Sequence, residues 1–349
     1  MPNLLKNILK YSIILSVMGY LLYNTIMDID EDVLEEGQTR LSFIYSYWLK
    51  SDKFFMFLSA FLAITSHVIR ALRWRVLLEP LGYKGISLFN STNAVLNGYF
   101  INLFIPRGGE LSRPFTLERT NNVPTDIGVG TVVTERIIDL IFLVICLGSV
   151  FIFQADTIIQ FVTEGWANSQ DNGKVDDSIP WFKLIIAGGF ILGVIGVIFI
   201  YFIKPQLFQV IKEKAISFLK GLKTGLLSIF KLEKRALFIF YSLAIWIFYY
   251  LMLYTVFLAF EETSHINAQD ALTAFVVGGI AMALPSPGGT GTYHFMVSYV
   301  LINLCKVAAN PAIAIVTVFH GFHTLLLIIL GGIGTFFIPN KKANEVQQG

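Results

Sequence analysis

"YFINLFIPRGGELSRPFTLERT", residues 99–120, begins as a membrane helix and stops being one halfway along. Phe100, Ile101, Leu103, Phe104 and Ile105 make an apolar run, Pro106 breaks it, and Arg107, Gly108 and Gly109 lead straight into Glu110, Arg113, Glu118 and Arg119. Proline removes a backbone donor and clashes with the preceding turn, so a helix ends or kinks there. Glycine then gives the chain access to left-handed backbone. Whether this break is the end of a span or the tip of a hairpin decides the fold.

The rest of the chain sets the context. Of 349 residues 55% are hydrophobic and 14% charged, with a mean hydropathy of +0.66, whereas about a quarter of a soluble domain is charged. Several apolar stretches are long enough to cross the hydrocarbon core, so the expectation is an all-α polytopic membrane protein. A net charge of +2 argues against a nucleic-acid partner. Cys146 and Cys305 lie inside apolar runs without metal-ligand spacing and read as small buried side chains. Lys6 and Lys10 precede an apolar run over 11–26 that lacks a small-residue cleavage site, which reads as a retained first span rather than a signal peptide.

Six segments read as full spans: 7–26, 54–72, 128–153, 181–203, 236–260 and 311–338. Two more, 86–120 and 271–306, are apolar but interrupted by Pro and Gly. The polar stretches 27–53, 154–180 and 204–235 are each too short for an independent core, so 1–349 is expected to be one transmembrane domain. Basic residues gather at the N-terminus, at Arg70, Arg73, Arg75 and Lys84, along 204–235 and at Lys341–Lys342; "DIDEDVLEE" (28–36), Asp171, Asp176, Asp177 and "EETSHINAQD" (261–270) are acidic. Because positive loops face the cytoplasm, both termini are expected there, in a cell membrane. Six spans alternate with these loops only if neither interrupted segment crosses, which makes both re-entrant hairpins. The order span, span, hairpin, span then occurs twice, over 7–153 and 181–338, with opposite orientation. Inverted repeats with broken helices at their interface are a transporter signature.

Both tips are candidate binding sites. Gly108–Gly109 and Gly288–Gly289 stand about 180 residues apart, and a helix starting after either tip would aim free N–H groups at an anion such as phosphate. The second such helix is expected to start between Thr290 and Tyr293; Pro287, Gly291 and His294 complete that tip. A plain packing turn is the competing reading. Glu110 and Arg113, three apart, are expected to pair on one helix face; with Arg107 they leave positive charge for a lipid phosphate. In "TERIIDLIF" (134–142), Glu135, Arg136 and Asp139 open an otherwise apolar span. With the helix entering at Gly128, Arg136 would lie about 12 Å deep, and charges at that depth mark a substrate path or a helix-locking salt bridge. Arg70, Arg73 and Arg75 read chiefly as interfacial anchors. His320 and His323, i and i+3 in "FHGFH", read as interhelical hydrogen-bonding groups, with proton coupling as a further role. No cofactor or metal is expected, and no P-loop pattern is present.

Taken together, "RALRWRVLL" (70–78), "GYFINLFIPRGGELSRPFTLERT" (98–120), "TVVTERIIDL" (131–140) and "ALPSPGGTGTYH" (283–294) resemble the flippase-like transmembrane region of lysylphosphatidylglycerol synthase and its relatives. The carrying patterns are N-x-x-x-P-x-x-G-E-x-x-R from Asn102 to Arg113, E-R-x-x-D from Glu135 to Asp139, and P-x-P-G-G-x-G from Pro285 to Gly291. The resemblance implies movement of a lipid between leaflets, with two hairpins meeting at the midplane. The larger relatives fuse a soluble transferase domain after this region; here the last expected span is followed by about ten residues, and none is expected. His294 stands where family members often carry Glu. The expected function is therefore a lipid flippase or transporter acting on a phosphate-bearing headgroup, not an enzyme, with membrane lipids as partners and no oligomeric state assigned. Ion-coupled export of a polar solute, intramembrane transfer on a lipid-linked sugar and a non-transporting scaffold or regulatory role are the alternatives.

Overall fold

The computed structural model describes residues 16, 19–154 and 232–339. The chain divides into two compact units, Met1–Val150 with Leu232–Gly349, and Phe151–Lys231. The helices belong to the first unit, apart from the last residues of α5. Among the described residues the regular structure is helical throughout, and the protein is an all-α membrane protein.

Among the described residues four helices are long and apolar enough to cross a membrane: α2 (Lys53–Leu78, continued by a 3-10 turn to Leu81), α5 (Thr125–Phe153), α6 (Arg235–Phe257) and α9 (Ala309–Thr335). At 1.5 Å per residue the 26 residues of α2 reach about 39 Å, against about 30 Å of hydrocarbon. They fall where spans are expected at 54–72, 128–153, 236–260 and 311–338. The expected span 181–203 and most of 7–26 lie outside the described residues, although 19–27 is helical. The loops 155–180 and 204–231 and the pair Lys341–Lys342 also lie outside them.

Each interrupted segment is a pair of short helices. The first is α3 (Leu88–Asn102) and α4 (Gly109–Asn121); the second is α7 (Ala268–Ala283) and α8 (Thr292–Asn303). None exceeds 16 residues, about 24 Å, so none spans alone. The element order is long helix, short pair, long helix, and then the same again. The breaks fall where Pro and Gly place them. Arg107 takes a left-handed φ of 62°, and Gly288 one of 57°.

The helix missing from the sequence reading is α1 (Arg40–Lys50), inside a stretch taken as polar loop. Thr39 caps it reciprocally with Ser42, each backbone N–H donating to the other's hydroxyl at 2.8 and 3.2 Å. Lys53 closes its far end, donating Nζ to the carbonyls of Trp48, Leu49 and Ser51 while lying 5.0 Å over the Trp48 ring. Asp52 then caps α2 by accepting from the Phe54 N–H at 2.8 Å. Lys53→Met should cost about 1 kcal/mol by removing these donors, readable as a lower midpoint in thermal unfolding of the detergent-solubilised protein. An unchanged midpoint would mean that water replaces the ammonium group without loss.

The long helix α2 packs along α6, α3 along both α4 and α9, and α8 between α7 and α9. In lipid, helices associate through close packing rather than hydrophobic expulsion, and small residues set the closest crossing. A Cβ on Gly109 would fall 2.1 Å from the Gly98 carbonyl oxygen, so α3 and α4 cross nearly backbone on backbone. Phe54, Phe57 and Phe61 on α2, and Phe151 to Phe153 on α5, are exposed. Such surface is a liability in water and ordinary against acyl chains.

Candidate functional site

Helical spacing brings the charges together. On α2, Arg70, Arg73 and Trp74 share a face at i, i+3 and i+4; on α5, Thr131, Glu135 and Asp139 share one at four-residue intervals. These two faces meet. Arg73 is fully buried and bridges both carboxylates, with Nε 3.2 Å from Glu135 Oε1 and Nη1 2.8 Å from Asp139 Oδ1. Arg73 Nη1 also donates to Ser242 Oγ on α6 at 3.2 Å. From α4, Arg113 Nη1 lies 2.6 Å from Glu135 Oε2, and its guanidinium sits 3.9 Å over the Trp74 ring. Trp74 is held in turn by donating to Thr131 Oγ1 at 2.8 Å. Guanidinium stacked on an aromatic face while paired to a carboxylate is an arrangement that lysine cannot reproduce.

The network loosens outward. Arg70 donates to Asp139 Oδ2 at 2.9 Å and to the Tyr249 hydroxyl from Nε and Nη2, and the Tyr249 hydroxyl lies 3.0 Å from that of Tyr99 on α3. Arg136 stands 3.5 Å from Glu110 and 3.6 Å from Asp139, and here the side chains of Arg136 and Glu110 are 41% and 39% exposed. Among the described residues four arginines (70, 73, 113 and 136) face three carboxylates (Glu110, Glu135 and Asp139), which leaves one surplus positive charge. Arg73 Nη2 and Arg113 Nε and Nη2 are buried without a hydrogen-bond partner among the described residues. Unpaired buried donors are costly, and a guanidinium fork suits an anion.

The two tips touch each other. Arg107, exposed on the first, donates to the Ala283 carbonyl at the end of α7, 3.2 Å away. Leu103 fills the space beside Gly288, where a Cβ would meet it at 2.6 Å. In the second tip Pro287–Gly289 form a 3-10 turn, and the Ser286 and Thr292 hydroxyls lie 3.0 Å apart. His294 accepts from the Gly291 N–H at 3.4 Å, and His320 donates to the Gly288 carbonyl at 2.9 Å.

Glu110, Arg113, Glu135, Arg136 and Asp139 thus meet in one network, while Arg107, Gly108, Gly109 and the Pro287–His294 group form the contact between tips. Three expectations need correction. Arg113 pairs with Glu135 and not with its helix neighbour Glu110, because stacking on Trp74 turns it toward α5. Arg70 and Arg73 are not interfacial anchors, since both are buried in ion pairs. The first tip's amides are not free for an anion, since those of Gly108, Gly109 and Glu110 donate to Ile105 O, Asn102 Oδ1 and Arg107 O, and at the second tip that of Thr290 donates to Pro287 O. Tyr99, Tyr249 and Ser242 escaped the sequence reading, as isolated polar residues in apolar helices. The signal for Arg70 and Arg73 was present: their three-residue spacing matches a carboxylate stripe with the period of one helical turn.

A polytopic helical membrane protein that turns its charges inward is the class these residues define. Residues 38–331 match the family described as the lysylphosphatidylglycerol synthase TM region, and the chain belongs to that family. Glycosyltransferase AglD of Haloferax volcanii is 25% identical over 303 residues, covering 81% of this chain and 48% of that protein, so the chain spans about half the length of that relative. UPF0104 membrane protein MJ1078 of Methanocaldococcus jannaschii is 23% identical over 251 residues, 70% of this chain and 97% of that protein. A second protein of that organism, UPF0104 membrane protein MJ1595, is 34% identical over 88 residues, 24% of this chain and 26% of that protein. No solved structure matches the chain.

Proposed function

We propose that the protein moves a phosphate-bearing lipid between the leaflets of a cell membrane, as a flippase or related transporter. The observation that carries this reading is the surplus guanidinium charge among the helices, with donors of Arg73 and Arg113 unpaired among the described residues beside a half-exposed Arg136–Glu110 pair. The headgroup phosphate meets Arg136 first and competes with Glu110 for it, while the acyl tails stay in the bilayer. Arg73, Glu135 and Arg113 hold the frame. The architecture we infer is six spans and two re-entrant hairpins in inverted repeats, 7–153 and 181–338, with both termini cytoplasmic. The repeated order of long helix, short pair, long helix supports it. Rocking of one repeat against the other then changes the leaflet exposed.

The match to a protein named a glycosyltransferase favours a second reading, group transfer on a lipid-linked sugar. Glu110 would be the base, because Asp139 is tied to three arginines. Leaflet exchange of fluorescent phospholipids in liposomes, bleached from outside by an impermeant reductant, separates the two. Wild type should bleach beyond the outer-leaflet fraction, with Arg136→Ala and Glu110→Gln slowed about tenfold or more, the loss of one charge-assisted contact. The reading fails if no headgroup moves, or if folded variants match wild type.

A further inference from the structure

The histidines are absent from the mechanism above, yet four of the five lie in the helical core. His294 on α8 is 4% exposed. Its ring and that of His320 on α9 are 4.6 Å apart, edge to face, with Tyr293 stacked on His320 at 5.4 Å. One turn further along α9, His323 lies 3.1 Å from the Ser59 hydroxyl of α2, which donates to the Met252 carbonyl of α6. Eight residues along α2 from Ser59, about two turns, His67 places its ring centroid 4.5 Å from that of Tyr99, where the arginine network begins.

From this juxtaposition we propose that His294 and His320 form a binding site for one transported proton, whose occupancy opens the second tip and so couples lipid movement to a proton gradient. The argument is one of exclusion. In the described conformation His294 Nδ1 accepts the Gly291 N–H, so that nitrogen is unprotonated. A proton placed there would face an N–H donor at 3.4 Å, and the bond that starts α8 would be lost. His320 already holds a proton on Nε2 against the Gly288 carbonyl, 2.9 Å away, so its open position for the transported proton is Nδ1, 3.5 Å from the Thr324 hydroxyl. Two charged rings at 4.6 Å would repel strongly at membrane depth, so the pair holds one proton, not two. Among the described residues the surrounding titratable or charged groups are Tyr293 on α8, His323 on α9 and, from the first tip, Arg107 on the Ala283 carbonyl. Gly288 packs on Leu103 of the first hairpin, so release of the Gly291 turn reaches the contact between tips. His323, Ser59 and His67 extend the track toward Arg70. Imidazole takes up a proton and imidazolium returns it without any covalent step, which is what a carrier of this ion needs.

The inference takes its cargo from the lipid reading, and two measurements keep the two apart. Phosphatidylcholine liposomes with a small fraction of fluorescent phosphatidylglycerol would contain the full chain and a trapped pH-sensitive dye. Lipid distribution would be followed with and without an imposed pH gradient, and proton entry with the membrane potential clamped. Wild type should admit protons and shift the leaflet ratio by up to about tenfold per pH unit for one proton per lipid. His294→Gln and His320→Gln should lose both responses. His265→Gln should keep them, because His265 lies on the Cys305 carbonyl, away from the pair. Either variant of the pair reads the site if the other fails to fold. Lipid exchange that ignores the gradient with no proton entry overturns the proton site, as does a full response in the folded Gln variants. Proton entry lost in those variants, with no lipid moving in wild type, upholds the proton site and overturns the lipid reading.

Discussion

Replacing Glu135 by alanine is expected to unfold the protein or cost about 3–5 kcal/mol, the price of a buried charge left without its partner. Glu135 is fully buried and receives both Arg73 and Arg113. Without it Arg113 keeps only the Trp74 face, and Arg73 keeps Asp139 and Ser242. Arg136→Ala removes an equal charge from a side chain 41% exposed and 3.5 Å from its carboxylate, a loss expected to stay within about 1 kcal/mol. Thermal unfolding in detergent, monitored by monodispersity on size exclusion, compares the two. A Glu135→Ala protein as stable as Arg136→Ala would mean that the inner ion pairs do not hold α2, α4 and α5 together.

Gly109→Ala is expected to be nearly as damaging, at about 3 kcal/mol or more. The added methyl would lie 2.1 Å from the Gly98 carbonyl oxygen and 2.8 Å from Asn102 Nδ2, and the first of these is backbone that no rotamer change can remove. The arms of the first hairpin must part, which also disturbs the Asn102 bond to the Gly109 N–H. Gly130→Ala is the matched control. Nothing lies within 4 Å of its Cβ position, and the gain in helix propensity should leave stability unchanged or raise it by up to about 1 kcal/mol. Equal behaviour of the two alanine variants would show that the close crossing of α3 and α4 is not needed.

The long helices and the breaks at Pro106 and Pro287 were legible in the sequence because they rest on local properties: run length, missing donors, permissive glycines. Helix α1 was not. Its signal is a Thr39–Ser42 capping pair ahead of an 11-residue aromatic segment, and a reading based on apolar run length passes over it. The charged residues were found, but their partners were assigned locally. Glu110 and Arg113 looked like a pair at i, i+3, whereas Glu110 meets Arg136 and Arg113 meets Glu135; the pairs Arg73–Glu135 and Arg70–Asp139 stand 62 and 69 residues apart. Ionic matching across helices depends on which faces meet, and a single chain does not announce that. Cys305 did follow the sequence reading: it is buried, and desolvation together with Asp270 pushes its thiol up to about 12.

The clasp between the hairpin tips fastens an arginine to a main-chain oxygen. A carbonyl is present whatever side chain stands beside it, and Ala283 itself is exposed, so mutational drift at 283 leaves the fastening in place. All of its chemical identity resides in Arg107, on a backbone turn that already strains an ordinary residue. The two halves of this contact are thus free to evolve at unequal rates, with position 283 interchangeable in composition and position 107 pinned to a single guanidinium.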